Sequence, residues 1–220
     1  LANHGYLPHN GRNFTVPQLM DAALDAFNLD WATILVAAKF ALLASEDHTS
    51  FQEIRLDALA LHNLIEHDAS ISRNDFGDGS GDNVHFNETV FATLANSNPG
   101  KAYYEPFSSG VVQRDRLAHS VATNPLLVNT EKEFKLRSRE TALYLSIFGD
   151  PTTGIAPKKF VNIFFREERL PIEEGWRKPS VLITDATLNP LSRIIQNASE
   201  WTEQAVRCEP LILGPSTKFN

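Results

Sequence analysis

The chain of 220 residues is short of sulfur, with one cysteine, Cys208, and one methionine, Met20. A lone cysteine excludes an intramolecular disulfide framework and any zinc site built on several thiolates. It leaves a free thiol or an intermolecular bridge, so a homodimer through Cys208 stays open. One Met against 14 Phe points to an aromatic interior with few adaptable thioethers. Positive charge is scarce as well. Twenty Lys and Arg against 27 Asp and Glu give a net charge of -7 with no basic run, which argues against a nucleic-acid partner. No apolar stretch approaches the roughly 18 residues that span a bilayer, so a soluble protein with no membrane partner is expected. Period-two alternation is missing beyond short pieces such as Val181-Leu182-Ile183-Thr184. There is no Gly-rich phosphate loop and no serine in a nucleophile elbow.

What remains is helical periodicity, and the expectation is an all-α single domain of about eight helices spanning residues 1–220. Thr15-Val16-Pro17-Gln18 has the form of a capping box opening a helix with Leu19, Ala22, Ala23 and Ala26 on one face. A second helix over 31–45 is apolar nearly all round and is expected to be central. Ser50 and Glu53 form another capping box, and a helix through Leu56, Leu59, Ala60 and Leu64 would deliver Glu66 and His67. The Gly/Asp-rich stretch from Asp75 to Asp82 lacks EF-hand spacing and reads as an ordinary loop. Further helices are expected after Asn87, over 109–122, over 133–148 and over 157–168, with a helical tail over 189–208. Three sequons, at Asn13, Asn87 and Asn197, tilt the reading modestly toward a secreted, glycosylated protein.

Chemistry concentrates in Ile65-Glu66-His67-Asp68-Ala69-Ser70-Ile71-Ser72-Arg73. Polar groups crowded at the end of an apolar segment cost free energy unless something uses them. If a helix continued through this stretch, Glu66 and Ser70 would share a face. With freed backbone carbonyls they would then offer hard oxygen ligands for magnesium or manganese. The plain alternative puts Glu66 in solvent and Ser70 in a turn. His67 beside Asp68 is either an oriented base or a hydrogen-bonded helix-end histidine. His62, Glu66 and His67 approach a metalloprotease signature, but the spacing is wrong. Glu140 shares a helix face with Leu143 and Tyr144. It is either ion-paired with Arg137 or Arg139, or desolvated and ready to carry protons.

Several segments resemble the fungal haem-thiolate chloroperoxidase and unspecific peroxygenase superfamily. They are Leu1-Ala2-Asn3-His4-Gly5-Tyr6-Leu7-Pro8, Glu66-His67-Asp68-Ala69-Ser70, Gly81-Asp82-Asn83, the Glu140 helix and Glu168-Arg169-Leu170-Pro171 through Trp176. Histidine at 67 is similar to the short peroxygenases and chloroperoxidase. The resemblance implies helices packed around haem b, with hydrogen peroxide oxidising, oxygenating or halogenating a small organic substrate. It implies that Glu140 is the distal acid–base and that His67 is its hydrogen-bonding partner. It also implies that Glu66, Ser70 and the carbonyl of His67 bind magnesium or manganese beside a haem propionate, and that Ile65, Leu143 and Tyr144 line the pocket. In that family the proximal cysteine precedes the position of Leu1 by a few residues. The expectation is that a segment carrying the ligand has been removed. A native protein without the thiolate, acting as a non-catalytic or haem-free binding protein, is the alternative.

Overall fold

The computed structural model describes residues 1–44 and 53–201. Strand β1 (Phe14–Thr15) leads directly into α1 (Val16–Phe27). Thr15 Oγ1 accepts from the Gln18 amide at 3.4 Å while Gln18 Oε1 accepts from the Thr15 amide at 2.8 Å, so the capping box closes as expected. Asn28 stops the helix in the left-handed region at φ 54, and Asp30 caps α2 (Trp31–Leu43) with a 3.0 Å bond to the Ala32 amide. The two helices pack together.

The helix expected to follow does not form. Ser50 lies outside the described residues, and Glu53 belongs to β2 (Glu53–Ile54), which pairs antiparallel with β1 so that Phe14 faces Ile54. Both side chains are fully buried in a small cluster with Ala2, Leu7, Ala22 and Ala41. The Leu56 amide donates to the Gly11 carbonyl at 2.9 Å, and Asp57–Ala60 makes only a 3-10 turn. The apolar residues read as a helix face are spent on the N-terminal segment instead, with Leu59 packed on that cluster. Long-range pairing overrides a local pattern here. Residues 61–87 then run without regular helix, folded by carboxylates: Asp68 accepts from the Phe76 and Val128 amides, and Asp75 from the Ala69 amide.

The rest follows expectation closely. Asn87 caps α3 (Glu88–Ala95), and Glu105 caps α4 (Pro106–Thr123), which ends before Asn124-Pro125. A Thr130/Glu133 capping box opens α5 (Glu131–Phe148). Strands β3 (Tyr103–Tyr104) and β4 (Ala156–Pro157) pair antiparallel beside α6 (Lys158–Glu167). The tail helix, α7 (Asp185–Ala198), starts at a Thr184/Thr187 capping box, earlier than expected, and ends at Ala198; residues 202–208 lie outside the described part. Val181–Thr184 contributes a single bridge from Ile183 to Leu29. Among the described residues there are seven α-helices in one domain, which bears out an all-α fold.

Helix α7 lies along α4 and α5. A Cβ on Gly110 would meet the Ile195 carbonyl at 2.5 Å, so only glycine allows α4 to approach so closely. The main core gathers Phe91, Leu94, Tyr104, Leu145, Ile183, Leu188 and Ile195, all essentially inaccessible. Each contributes about 1.5–3 kcal/mol of transfer free energy. The Trp176 indole donates to the Ile147 carbonyl at 2.9 Å, pinning the turn after α6 to the end of α5. Helix α5, which carries Glu140, is thereby fixed at its C-terminal end.

Candidate active site

On α5 the residues Arg137, Glu140, Thr141, Tyr144, Ile147 and Phe148 fall on one stripe, following the 3.6-residue repeat. They form one wall of a cavity of about 350 Å³. The loop from His67 to Arg73 forms a second wall, and Phe27 with Phe164 and Phe165 of α6 completes the apolar part. Gln113 reaches in from α4. His67, Ser70, Glu140, Leu143 and Tyr144 therefore converge on one space, although 73 residues separate His67 from Glu140.

The central contact is His67 Nε2 to Glu140 Oε2, at 3.1 Å. The other ring nitrogen, Nδ1, lies 2.7 Å from the Asp68 carbonyl oxygen. A carbonyl can only accept, so Nδ1 carries a hydrogen. In a neutral ring Nε2 would then be a bare acceptor facing a carboxylate oxygen. The contact closes only if one further proton sits between Nε2 and Oε2. Burial disfavours the imidazolium, but the charge and hydrogen bond of Glu140, with the Asp68 carbonyl, outweigh it and raise the His67 pKa. Half of the Glu140 side-chain surface stays open, and among the described residues its Oε1 accepts no hydrogen bond. The site thus holds a proton beside a free carboxylate oxygen.

One reading from the residues alone is corrected. Glu140 pairs with neither arginine: Arg139 bonds the Asp185 carboxylate and the Thr33 carbonyl, and Arg137 bonds Gln113 and Asn129. His67 is oriented by the backbone of Asp68, whose own carboxylate is buried and folds the loop. Burial pushes that carboxyl up to about 6, opposed by the nearby His62 ring and reinforced by Asp75.

Other expected residues lie elsewhere. Ile65 is not in the cavity wall; it packs on the Phe14–Ile54 cluster. Without a helix, Glu66 and Ser70 do not share a face. Ser70 lines the cavity, while Glu66 Oε2 accepts from His62 Nδ1 at 2.7 Å outside the wall. Ser70 Oγ accepts from the Ser72 amide at 3.2 Å. Among the described residues no three His, Cys, Asp or Glu side chains gather as a metal cluster. Cys208 lies outside the described residues. Not foreseen as wall residues were Arg137, Gln113 and the α6 phenylalanines. The α5 stripe would have revealed Arg137 and Thr141; the others depend on how α4 and α6 pack.

An all-helical domain with an imidazole–carboxylate pair in the wall of an apolar cavity is suited to proton transfer on a small substrate. The chain belongs to peroxidase family 2, whose sequence profile matches residues 1–181. It is 30% identical over 199 residues to an aromatic peroxygenase of Coprinellus radians, covering 80% of this chain and 75% of that protein. It is 26% identical over 195 residues to a chloroperoxidase of Leptoxyphium fumago, covering 82% and 52%. An aromatic peroxygenase of Cyclocybe aegerita is 30% identical over 206 residues, covering 82% and 53%. The chain thus spans about half the length of two of these relatives.

Proposed function

We propose that this chain is a peroxide-dependent haem-thiolate oxidoreductase that oxygenates, oxidises or halogenates small organic molecules. The observation that carries the reading is the His67–Glu140 contact in the cavity wall. The cavity suits haem: Leu143, Tyr144, Phe164 and Phe165 offer flat apolar walls, and the acid–base pair stands beside them. When bound, haem supplies the redox chemistry, an iron that takes hydrogen peroxide and stores the oxidising equivalents of its broken O–O bond. Among the described cavity residues there is no cysteine.

The chain's own residues manage the proton. Glu140 Oε1 would take a proton from one oxygen of hydrogen peroxide and the same carboxyl would return it to the other, which could then depart as water, with the electrons for that cleavage supplied by the haem. His67, bonded to Oε2, keeps the carboxylate aimed. The Asp68 carbonyl holds the ring in the tautomer this requires. Tyr144 is buried with its hydroxyl donating to Ser109 Oγ at 3.4 Å, and burial raises its pKa, so it serves as a wall and not as a proton donor.

Magnesium or manganese at Glu66, Ser70 and the His67 carbonyl belongs to the same reading. It would require the Glu66 carboxylate to turn from His62, which it bonds at 2.7 Å. Secretion belongs here too. Asn13 and Asn197 are exposed, whereas the Asn87 amide caps α3 and bonds Asn74, so glycans are expected at the first two. Intact mass before and after endoglycosidase treatment checks this. The main test is absorbance: the purified protein should show a Soret band, and its reduced carbon monoxide complex the red-shifted thiolate signature. A protein with neither would support a non-catalytic binding protein on this fold.

A further inference from the structure

The chain carries a net charge of -7, yet the ionisable residues in the cavity wall are His67, Arg73, Arg137 and Glu140, three of them basic. A basic lining inside an acidic protein focuses its field on anions. The charge of Arg137 is opposed by Glu133, Asp75 and Glu140. Arg73 is placed differently. Its Nε donates to the Val84 carbonyl at 2.6 Å and its Nη1 to Ser72 Oγ at 2.8 Å. Both acceptors are neutral, so they fix the guanidinium in direction and leave its charge in place. Of its side-chain surface 36% is open, so this residue both lines the cavity and meets solvent, and it stands at the mouth.

The remaining nitrogen, Nη2, has one carboxylate near it among the described residues. Glu168 Oε1 lies 3.8 Å away, too far for a hydrogen bond, and the Glu168 side chain is 64% open. Glu168 follows the end of α6, three residues after Phe165 and four after Phe164. The pair therefore spans the gap between the loop wall and the α6 wall, beside the two phenylalanine rings. An exposed ion pair of this kind contributes little, whereas a charge-assisted hydrogen bond to a guanidinium is among the strong ones. A carboxylate that reaches Nη2 from the cavity displaces Glu168.

We propose that Arg73 Nη2 binds a carboxylate at the cavity mouth, in competition with Glu168, while the apolar body of the ligand lies on Ile71, Phe164 and Phe165. The ligand class is an amphiphile with one anionic end. An organic acid entering the cavity has this chemistry, and so does the carboxylate edge of the cofactor. The inference rests on the same cavity as the peroxide reading, but its test reads binding and not turnover.

The full chain is titrated calorimetrically with octanoate, octanol and octylamine, which share an apolar body and differ in charge. Wild type is expected to bind octanoate at least fivefold more tightly than octanol, and octylamine no better than octanol. Arg73→Met should bring octanoate down to the level of octanol and leave octanol unchanged. Glu168→Gln removes the competitor, so it should tighten octanoate at least twofold without changing octanol. A pair that only braces the fold would give no such gain. If Arg73→Met loses octanol as well, its fold has failed and Glu168→Gln decides alone: a gain supports the proposal and no gain overturns it. Glu140→Gln should lose peroxide turnover and keep the octanoate preference, so the two readings fail separately. In the cofactor arm, transfer of iron protoporphyrin and of its dimethyl ester to apomyoglobin is followed by absorbance. Loss of the acid but not the ester, at least fivefold faster from Arg73→Met than from wild type, assigns the carboxylate to the cofactor; octanoate preference without that difference assigns it to an organic acid. If both variants treat acid, alcohol, porphyrin and ester as wild type does, the proposal is overturned.

Discussion

Two imidazole–carboxylate pairs leave the same loop, and they differ in what surrounds them. His62 and Glu66 are four residues apart, their contact is 2.7 Å, and both side chains are shielded. The His62 ring also stacks on Phe76 with centroids 4.2 Å apart. His67 and Glu140 come from opposite halves of the chain, and the carboxylate of that pair is half open to a cavity. The chemistry is the same, yet one pair closes a loop and the other faces a space that a substrate can enter. The comparison teaches that exposure of a carboxylate oxygen, more than the pairing itself, separates a structural pair from a reactive one.

The sharpest way to break the comparison is Glu140→Gln. It keeps the shape and removes the base, and peroxide turnover should fall by roughly 10²–10⁴-fold. Stopped-flow absorbance after peroxide addition checks this, and an undiminished rate would make the two pairs equivalent. Next in size is His67→Gln. A charge-assisted hydrogen bond of about 1.5–3 kcal/mol corresponds to roughly a ten- to hundredfold loss of turnover, with Glu140 still present. His62→Ala should act on stability instead. Leaving a buried carboxylate oxygen short of a partner costs about 1–3 kcal/mol, read as a lower urea midpoint, while turnover per folded molecule stays within a few-fold of wild type. A loss of turnover as large as that of His67→Gln would dissolve the division of labour.

The smallest effect is on pH. The His67 pKa is raised in the folded state, so its pairing stabilises fully below the unfolded value of about 6.5 and is lost as pH rises through the raised folded value. The stability gap between wild type and His67→Gln should therefore be widest in mild acid and narrow toward alkaline pH. Urea midpoints across pH 5–9 measure it; a gap that widened with pH would reverse the assignment.

Much of this was legible from local signals. Helix α5 announces its end by Gly149-Asp150-Pro151, and α1 its start by Thr15 and Gln18, whereas the Thr130/Glu133 box that opens α5 at Glu131 went unread. Those caps are short-range chemistry that a sequence displays directly. The segment after α2 was misread because its leucines fit a helix equally well. What decided the outcome was Ile54 meeting Phe14, forty residues away. The partner of Glu140 was carried by family resemblance, since the residues alone favoured Arg137 or Arg139. Only the path of the loop, folded by Asp68 and Asp75, brings His67 to the right side of α5. The aromatic end of the cavity was beyond reach for the same reason: Phe164 and Phe165 become wall residues only when α6 docks.

The central claim is that His67 and Glu140 share a proton at the cavity wall. The most direct measurement is the titration of the His67 ring by nitrogen-15 NMR in wild type and in Glu140→Gln. Burial alone lowers an imidazole pKa and the Glu140 charge raises it. The midpoint should lie above about 6.5 in wild type and drop below that value in the variant. Identical midpoints in the two proteins would contradict the account.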